Sequence, residues 1–272
     1  MRMRCTILLL TLALVSVSGQ QRSELEAVAA LADEPRQISA AGVTRSGGRL
    51  TTLENDSTFA GGPRRRLVIV ADDERAARAT LAAIAWFKTR APRRLREQWV
   101  VSAVLLAHAN DALPAQQLQF PPAKGFFDHP DQPESRYAWR WVTYQAPDLV
   151  LQLRGGDVLT RGDGPANSLS AALSAGASEV GAVPALFALV RETDGPALLE
   201  QILTEQARTS RSPLRAELTK RSAREPLAVA RALANRYPQN ATVSYIPSVA
   251  WANTLRLADV TSDEGLRAKV LQ

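Results

Sequence analysis

Three charged clusters, each just after an apolar run, could do chemistry in this chain: Asp72-Asp73-Glu74, His108 with Asn110 and Asp111, and Arg154-Gly155-Gly156-Asp157. The carboxylates and the histidine are of types that can ligate a metal, and the two glycines let a charged tip bend. A blander reading stands beside this one. Three acids at the start of a helix are also what the helix dipole favours, and a histidine at a strand end commonly makes one local hydrogen bond. Asp128, His129 and Asp131 are a further candidate trio, but with only two histidines in the chain a metal cluster there is not expected.

The elements that must position these residues follow from the hydrophobic pattern. Residues 66–71, 99–107, 148–153 and 183–190 are continuous apolar runs, which mark strands covered on both faces. Gly42 to Leu53 has a glycine turn and alternation, the pattern of an edge hairpin. A helix begins at the acidic triplet, with Ala77, Leu81, Ile84 and Ala85 at three- and four-residue spacings. An aromatic-rich helix spans 133–147, and residues 167–174 read as a helix start. Strands alternating with helices imply an α/β fold: a mixed, mostly parallel sheet with helices on both faces, a three-layer sandwich. Ligands in such sheets gather at the carboxyl ends of the strands, where Asp72, Asp73, Glu74, Asn110, Asp111, Arg154 and Asp157 stand as candidate binding residues.

Arg2 and Arg4 precede an apolar run from Cys5 to Val17, the make-up of a secretory signal peptide over residues 1–19. The run is too short for a stable membrane anchor, so a secreted or periplasmic protein is expected. Cleavage would remove the only cysteine, leaving a core without disulfides. An α/β domain is expected over 20–195. A helical extension over 196–272, ending without a closing signal, reads as a junction to a further domain.

The net charge is +6, and the basic clusters are Arg64, Arg65 and Arg66, then Arg90, Arg93, Arg94 and Arg96. Neither is interleaved with aromatics, so both are read as solvated surface and no nucleic-acid partner is expected. Tyr137, Trp139, Trp141 and Tyr144 could form a carbohydrate-stacking face, although such helical spacing more often means core packing. The Arg161-Gly-Asp163 tripeptide and the Asn240-Ala-Thr242 sequon carry little weight. The sequence contains no Gly-x-Ser-x-Gly elbow, phosphate-binding loop or dinucleotide fingerprint, which removes the common serine hydrolases, nucleotide enzymes and Rossmann oxidoreductases.

The order of these pieces over residues 40–190 resembles the zinc carboxypeptidases. Gly42 to Leu53, with Ser46, Gly48, Arg49 and Leu50, is similar to that family's early hairpin. Leu67 to Phe87 resembles the strand and helix that carry its first two metal ligands, a His-x-x-Glu pair. Leu105 to Asp111 resembles the strand into its Asn-Pro-Asp-Gly loop, and Pro147 to Arg154 resembles Pro-Asp-Leu-x-x-Asp-Leu-His, which delivers its third ligand. The departures fall on the metal. Asp72, Asp73 and Glu74 stand in place of the first ligand pair and Arg154 in place of the later histidine. An arginine offers only donors and cannot ligate zinc. The resemblance thus implies the family's fold with its zinc site lost, no cofactor, and an ion pair from Arg154 to Asp72 or Asp73. The expected function is an exported, non-catalytic binding or accessory module for cell-wall peptide or polysaccharide. The alternative is a secreted hydrolase, either a divergent carboxypeptidase or amidase using Asp72, Glu74 and His108, or a fragment of a glycan hydrolase of the unsaturated glucuronyl type. The sequence sets no oligomeric state.

Overall fold

The computed structural model describes residues 22–31, 34–58, 62–106, 117–122, 132–176, 178, 181–236 and 245–271. The expected signal peptide, the His108 to Asp111 and Asp128 to Asp131 candidates and the sequon lie outside them. The chain divides into two compact units between Leu218 and Thr219.

The first unit is built on a seven-stranded sheet in the order β1-β2-β4-β3-β5-β7-β6. The strands are β1 (Gln37–Val43), β2 (Arg49–Glu54), β3 (Arg65–Ala71), β4 (Trp99–Leu105), β5 (Leu149–Gly155), β6 (Thr160–Gly162) and β7 (Ala185–Val190). The four central strands, β4, β3, β5 and β7, run parallel, and the outer ones pair antiparallel. The expected mixed, mostly parallel α/β architecture is therefore present. Every residue of β4 and the last five of β3 are buried, as a strand covered on both faces requires.

Helices cover both faces. Helix α1 (residues 22–30), α2 (Glu74–Thr89), α3 (Arg93–Gln98) and α6 (Gly195–Glu205) pack on one face against Leu67, Ile69, Leu151 and Leu153. On the other, α4 (Pro133–Gln145) and α5 (Leu169–Ser174) pack against Val68, Val70, Val104 and Val150, joined by Leu214 of α7 (Pro213–Ser222). The alternation of β3 sends odd residues to one layer and even residues to the other. Gly42, beside a bulge in β1, is required by α4: a β-carbon there would lie 2.2 Å from the Tyr137 ring. Lys88 is buried at the end of α2, where its ammonium donates to the carbonyls of Val28, Ala29 and Pro35 at 2.8, 3.1 and 2.6 Å. A cation there meets the negative carboxyl end of α1.

The helical extension expected from residue 196 begins within this first unit, because Leu198, Leu199, Ile202 and Leu203 of α6 complete its first core layer. The second unit contains α8 (Pro226–Arg236), α9 (Tyr245–Thr261) and α10 (Glu264–Leu271), which share a small core of Ala234, Ala258 and Leu266. Among the described residues no helix is long and apolar enough to cross a membrane.

Candidate functional site

After β3 the chain crosses to β4 on one side, and after β5 it proceeds to β6 and then β7 on the other. The carboxyl ends of β3 and β5 thus flank the point where the winding reverses, the usual ligand crevice of an open α/β sheet. Asp72 leaves one of these strands and Arg154 lies at the end of the other.

Asp72 is buried, and its backbone N–H donates to Leu153 O at 2.9 Å, extending the β3–β5 ladder by one residue. Arg154 donates from Nε and Nη2 to Asp72 Oδ2 at 3.2 and 3.0 Å. The expected pairing of Arg154 with an aspartate of the neighbouring strand end is present, and Asp72 is the partner. Gln152 completes the arrangement, donating from Nε2 to Asp72 Oδ1 and Oδ2 at 2.9 and 3.0 Å. Its own Oε1 accepts from the Ser170 N–H at 2.9 Å, so α5 fixes the amide. The Arg154 guanidinium lies 5.3 Å from the Phe187 ring centre, a cation–π contact across to β7. Burial pushes the Asp72 carboxyl up to about 6, against the opposing pull of the Gln152 bonds and the Arg154 charge.

Asp73 faces elsewhere. It is the N-cap of α2, accepting from Ala76 N–H at 2.9 Å through Oδ1, while Oδ2 accepts from Gly155 N–H at 2.7 Å. One carboxylate thereby fastens the tip of β5 to the start of α2. Glycine at 155 permits the approach, since a β-carbon there would lie 2.9 Å from both Arg75 Cβ and Asp73 Oδ1.

Glu74 turns outward to Arg78 at 2.6 Å, and Arg78 also reaches Glu192 at 2.6 Å. Asp157 is almost fully exposed and takes a 2.9 Å bond from Arg75, which also donates to Gly156 O at 3.1 Å. Of the predicted residues, Asp72 and Arg154 are in contact, Asp73 supports them from behind, and Glu74 and Asp157 lie on the rim. Asn110 and Asp111 are outside the described residues.

Gln152 is the member that sequence reasoning passed over, as part of an apolar strand. Its signal was legible: a polar side chain inside a strand buried on both faces must find a buried partner. Ser168, which caps α5 by accepting from Ala171 N–H at 3.2 Å, likewise sits behind the site.

Other expectations change in the structure. Arg65 and Arg66 are not solvated surface. Arg65 lies 5.5 Å from the Trp99 ring centre and bonds Gln206 O and Thr209, and Arg66 enters a buried cluster around Asp148, because β3 begins between two neighbouring strands. The aromatics of α4 follow the core-packing reading except for Tyr144, which is exposed: Trp141 is buried and donates to Glu54 Oε1 at 3.0 Å, and Tyr137 and Trp139 pack on the core. Arg161 is tied to Glu205 at 3.1 and 2.8 Å.

Asp72 and Arg154 do not offer the ligand set that a carboxypeptidase zinc takes. Arg154 carries donors only, and both oxygens of Asp72 already accept from the Gln152 amide. Among the described residues no three His, Cys, Asp or Glu side chains come together as a metal would need.

The sequence matches no family model and no curated protein. Among solved structures it is similar to a metallo-carboxypeptidase from Burkholderia cenocepacia, at 13% identity and a TM-score of 0.48, over 70% of this chain and 68% of that one. A candidate carboxypeptidase from Burkholderia mallei aligns at 11% identity and a TM-score of 0.44, over 68% of this chain and 66% of that one. A candidate metallopeptidase from Shewanella denitrificans aligns at 13% and 0.42, over 73% of this chain and 91% of that one.

Proposed function

We propose that this chain is an exported, non-catalytic domain of carboxypeptidase-like design whose zinc site has been replaced by an ion pair, and that it binds cell-wall peptide or polysaccharide or supports a partner that does. The observation that carries the reading is the engagement of Asp72. The carboxylate at the reversal point of the sheet is paired with Arg154 and held on both oxygens by Gln152, so a metal would have to displace these bonds beside a fixed positive charge that repels it. The guanidinium supplies the charge that an ion would bring, without the Lewis acidity that activates water. The composition of residues 1–19 supports export, and basic clusters without interleaved aromatics support a partner other than nucleic acid.

Two measurements on the purified protein test this. Elemental analysis with calorimetric titration is expected to find no stoichiometric zinc, and sedimentation with insoluble peptidoglycan is expected to carry the protein into the pellet. One zinc per chain together with release of a C-terminal residue from a peptide would replace this reading with the hydrolase alternative.

A further inference from the structure

The second unit buries few apolar side chains. Among its described residues these are Ala234, Ala258 and Leu266, while Leu233, Ile246 and Tyr245 stand 51%, 66% and 82% exposed. The exposed ones share one place. A groove of about 330 Å³ runs between α8 and α9, with Ala230, Leu233 and Ala234 on one wall and Ile246, Val249 and Leu257 on the other. The positions on each helix recur at three- and four-residue spacings, so each presents one apolar stripe to the same groove. Apolar surface gathered in this way marks an interaction site, whereas apolar residues scattered singly do not.

The rim of the groove is basic. Arg231 precedes Ala234 by three residues, Arg236 follows Leu233 by three and Arg256 follows Asn253 by three, spacings that make neighbours on a helix surface. All three arginines are exposed, and among the described residues none has an ion-pair or hydrogen-bond partner for its side chain. Helix α8 holds no acidic residue, and the one in α9, Asp259, is paired with Arg267.

Three kinds of occupant differ in what they require. A small apolar ligand needs about 70–90% of its surface buried, and walls as exposed as Tyr245 and Ile246 do not enclose one. A second copy, meeting this face with its own in a two-fold contact, would set one basic rim against another. An amphipathic helix with acidic flanks meets both features. Its apolar row fills a groove between two helices, and Ala230, Ala234 and Ala250 leave room for its axis to approach to about 8–10 Å. Carboxylates beside that row reach the three unpaired guanidiniums.

We infer that the α8–α9 groove is the docking site for an acidic amphipathic helix of a partner protein, with its apolar face in the groove and its carboxylates on Arg231, Arg236 and Arg256. The inference does not rest on the proposed function, because no residue of the Asp72 site takes part.

Fluorescence anisotropy on the full chain tests the site with two dye-tagged synthetic amphipathic helices, one carrying leucines in its apolar row and glutamates beside it, the other with lysines in place of the glutamates. The glutamate peptide is expected to bind saturably and the lysine peptide not to bind. Leu233→Asp should weaken that binding about tenfold or more. Its circular dichroism should match that of the unaltered protein, since the side chain is half exposed. Arg231→Glu with Arg256→Glu should transfer binding to the lysine peptide. Equal binding of the two peptides, saturable binding of neither, sedimentation with phosphatidylglycerol vesicles that Leu233→Asp abolishes, or a dimer in ultracentrifugation that Leu233→Asp dissociates, overturns the inference.

Discussion

Each end of the β3–β5 pair holds a buried aspartate joined to an arginine, but the arginine comes from a different place. At the amino end Asp148, preceding β5, accepts from the backbone N–H of Arg66 in β3 and pairs with Arg215 of α7; at the carboxyl end Asp72, following β3, pairs with Arg154 of β5 itself. Between them the paired residues run from Leu67 opposite Leu149 to Ala71 opposite Leu153, all apolar except Gln152. The difference lies in the third group. Gln152 is neutral and closes the carboxyl end around its aspartate, whereas Arg215 is charged and pairs with Asp148 from a helix outside the sheet. A strand pair can therefore fasten its buried aspartate from within the sheet or from a helix beside it.

Removing the acid at each end should separate these cases. Asp148→Asn is expected to have the largest effect, because it takes this carboxylate from the buried Arg215 guanidinium; a loss of about 3–5 kcal/mol in urea unfolding is the scale for breaking a buried pair. A loss no larger than that of an exposed pair would show that solvent already screens the cluster.

Asp72→Asn should cost less at neutral pH, because the native carboxylate is itself held against its desolvation. Its folded value of about 6 lies above the unfolded 3.8, so the folded state binds the extra proton between these pH values. The contribution of Asp72 is thus fully present below pH 3.8 and lost as pH rises through 6, about 3 kcal/mol in all at 1.36 kcal/mol per pKa unit. Unfolding free energies of the unaltered protein and Asp72→Asn, measured from pH 4 to 7, should converge or cross as pH rises; a constant difference would mean the carboxyl is solvated. The smallest effect is expected for Arg75→Ala, whose partner Asp157 is 96% exposed, with a change of roughly 0–1 kcal/mol in the same unfolding measurement.

Much of this architecture is legible in the residues, and the gaps have physical causes. The apolar runs at 66–71, 99–107 and 148–153 could bury both faces only inside a sheet, so the central strands were readable. Strand β6, Thr160–Gly162, was not, because its three residues carry no apolar pattern and are held by backbone pairing to β7. The candidate site was legible as a location, since Asp72 and Arg154 both end apolar runs. Which aspartate meets the arginine was not, because Asp72 and Asp73 are adjacent and of one type. Helix capping claims Asp73, and the register of β3 against β5 delivers Asp72.

Hydrophobic periodicity is a local property, so the layered α/β class, the central strands and the clustering of charge at their ends could be read from the chain alone. Partnership is not local. Gln152 with Asp72 and Arg215 with Asp148 join residues 80 and 67 positions apart. Only the packed sheet, which sets strand order and register together, decides which of these groups share a buried space.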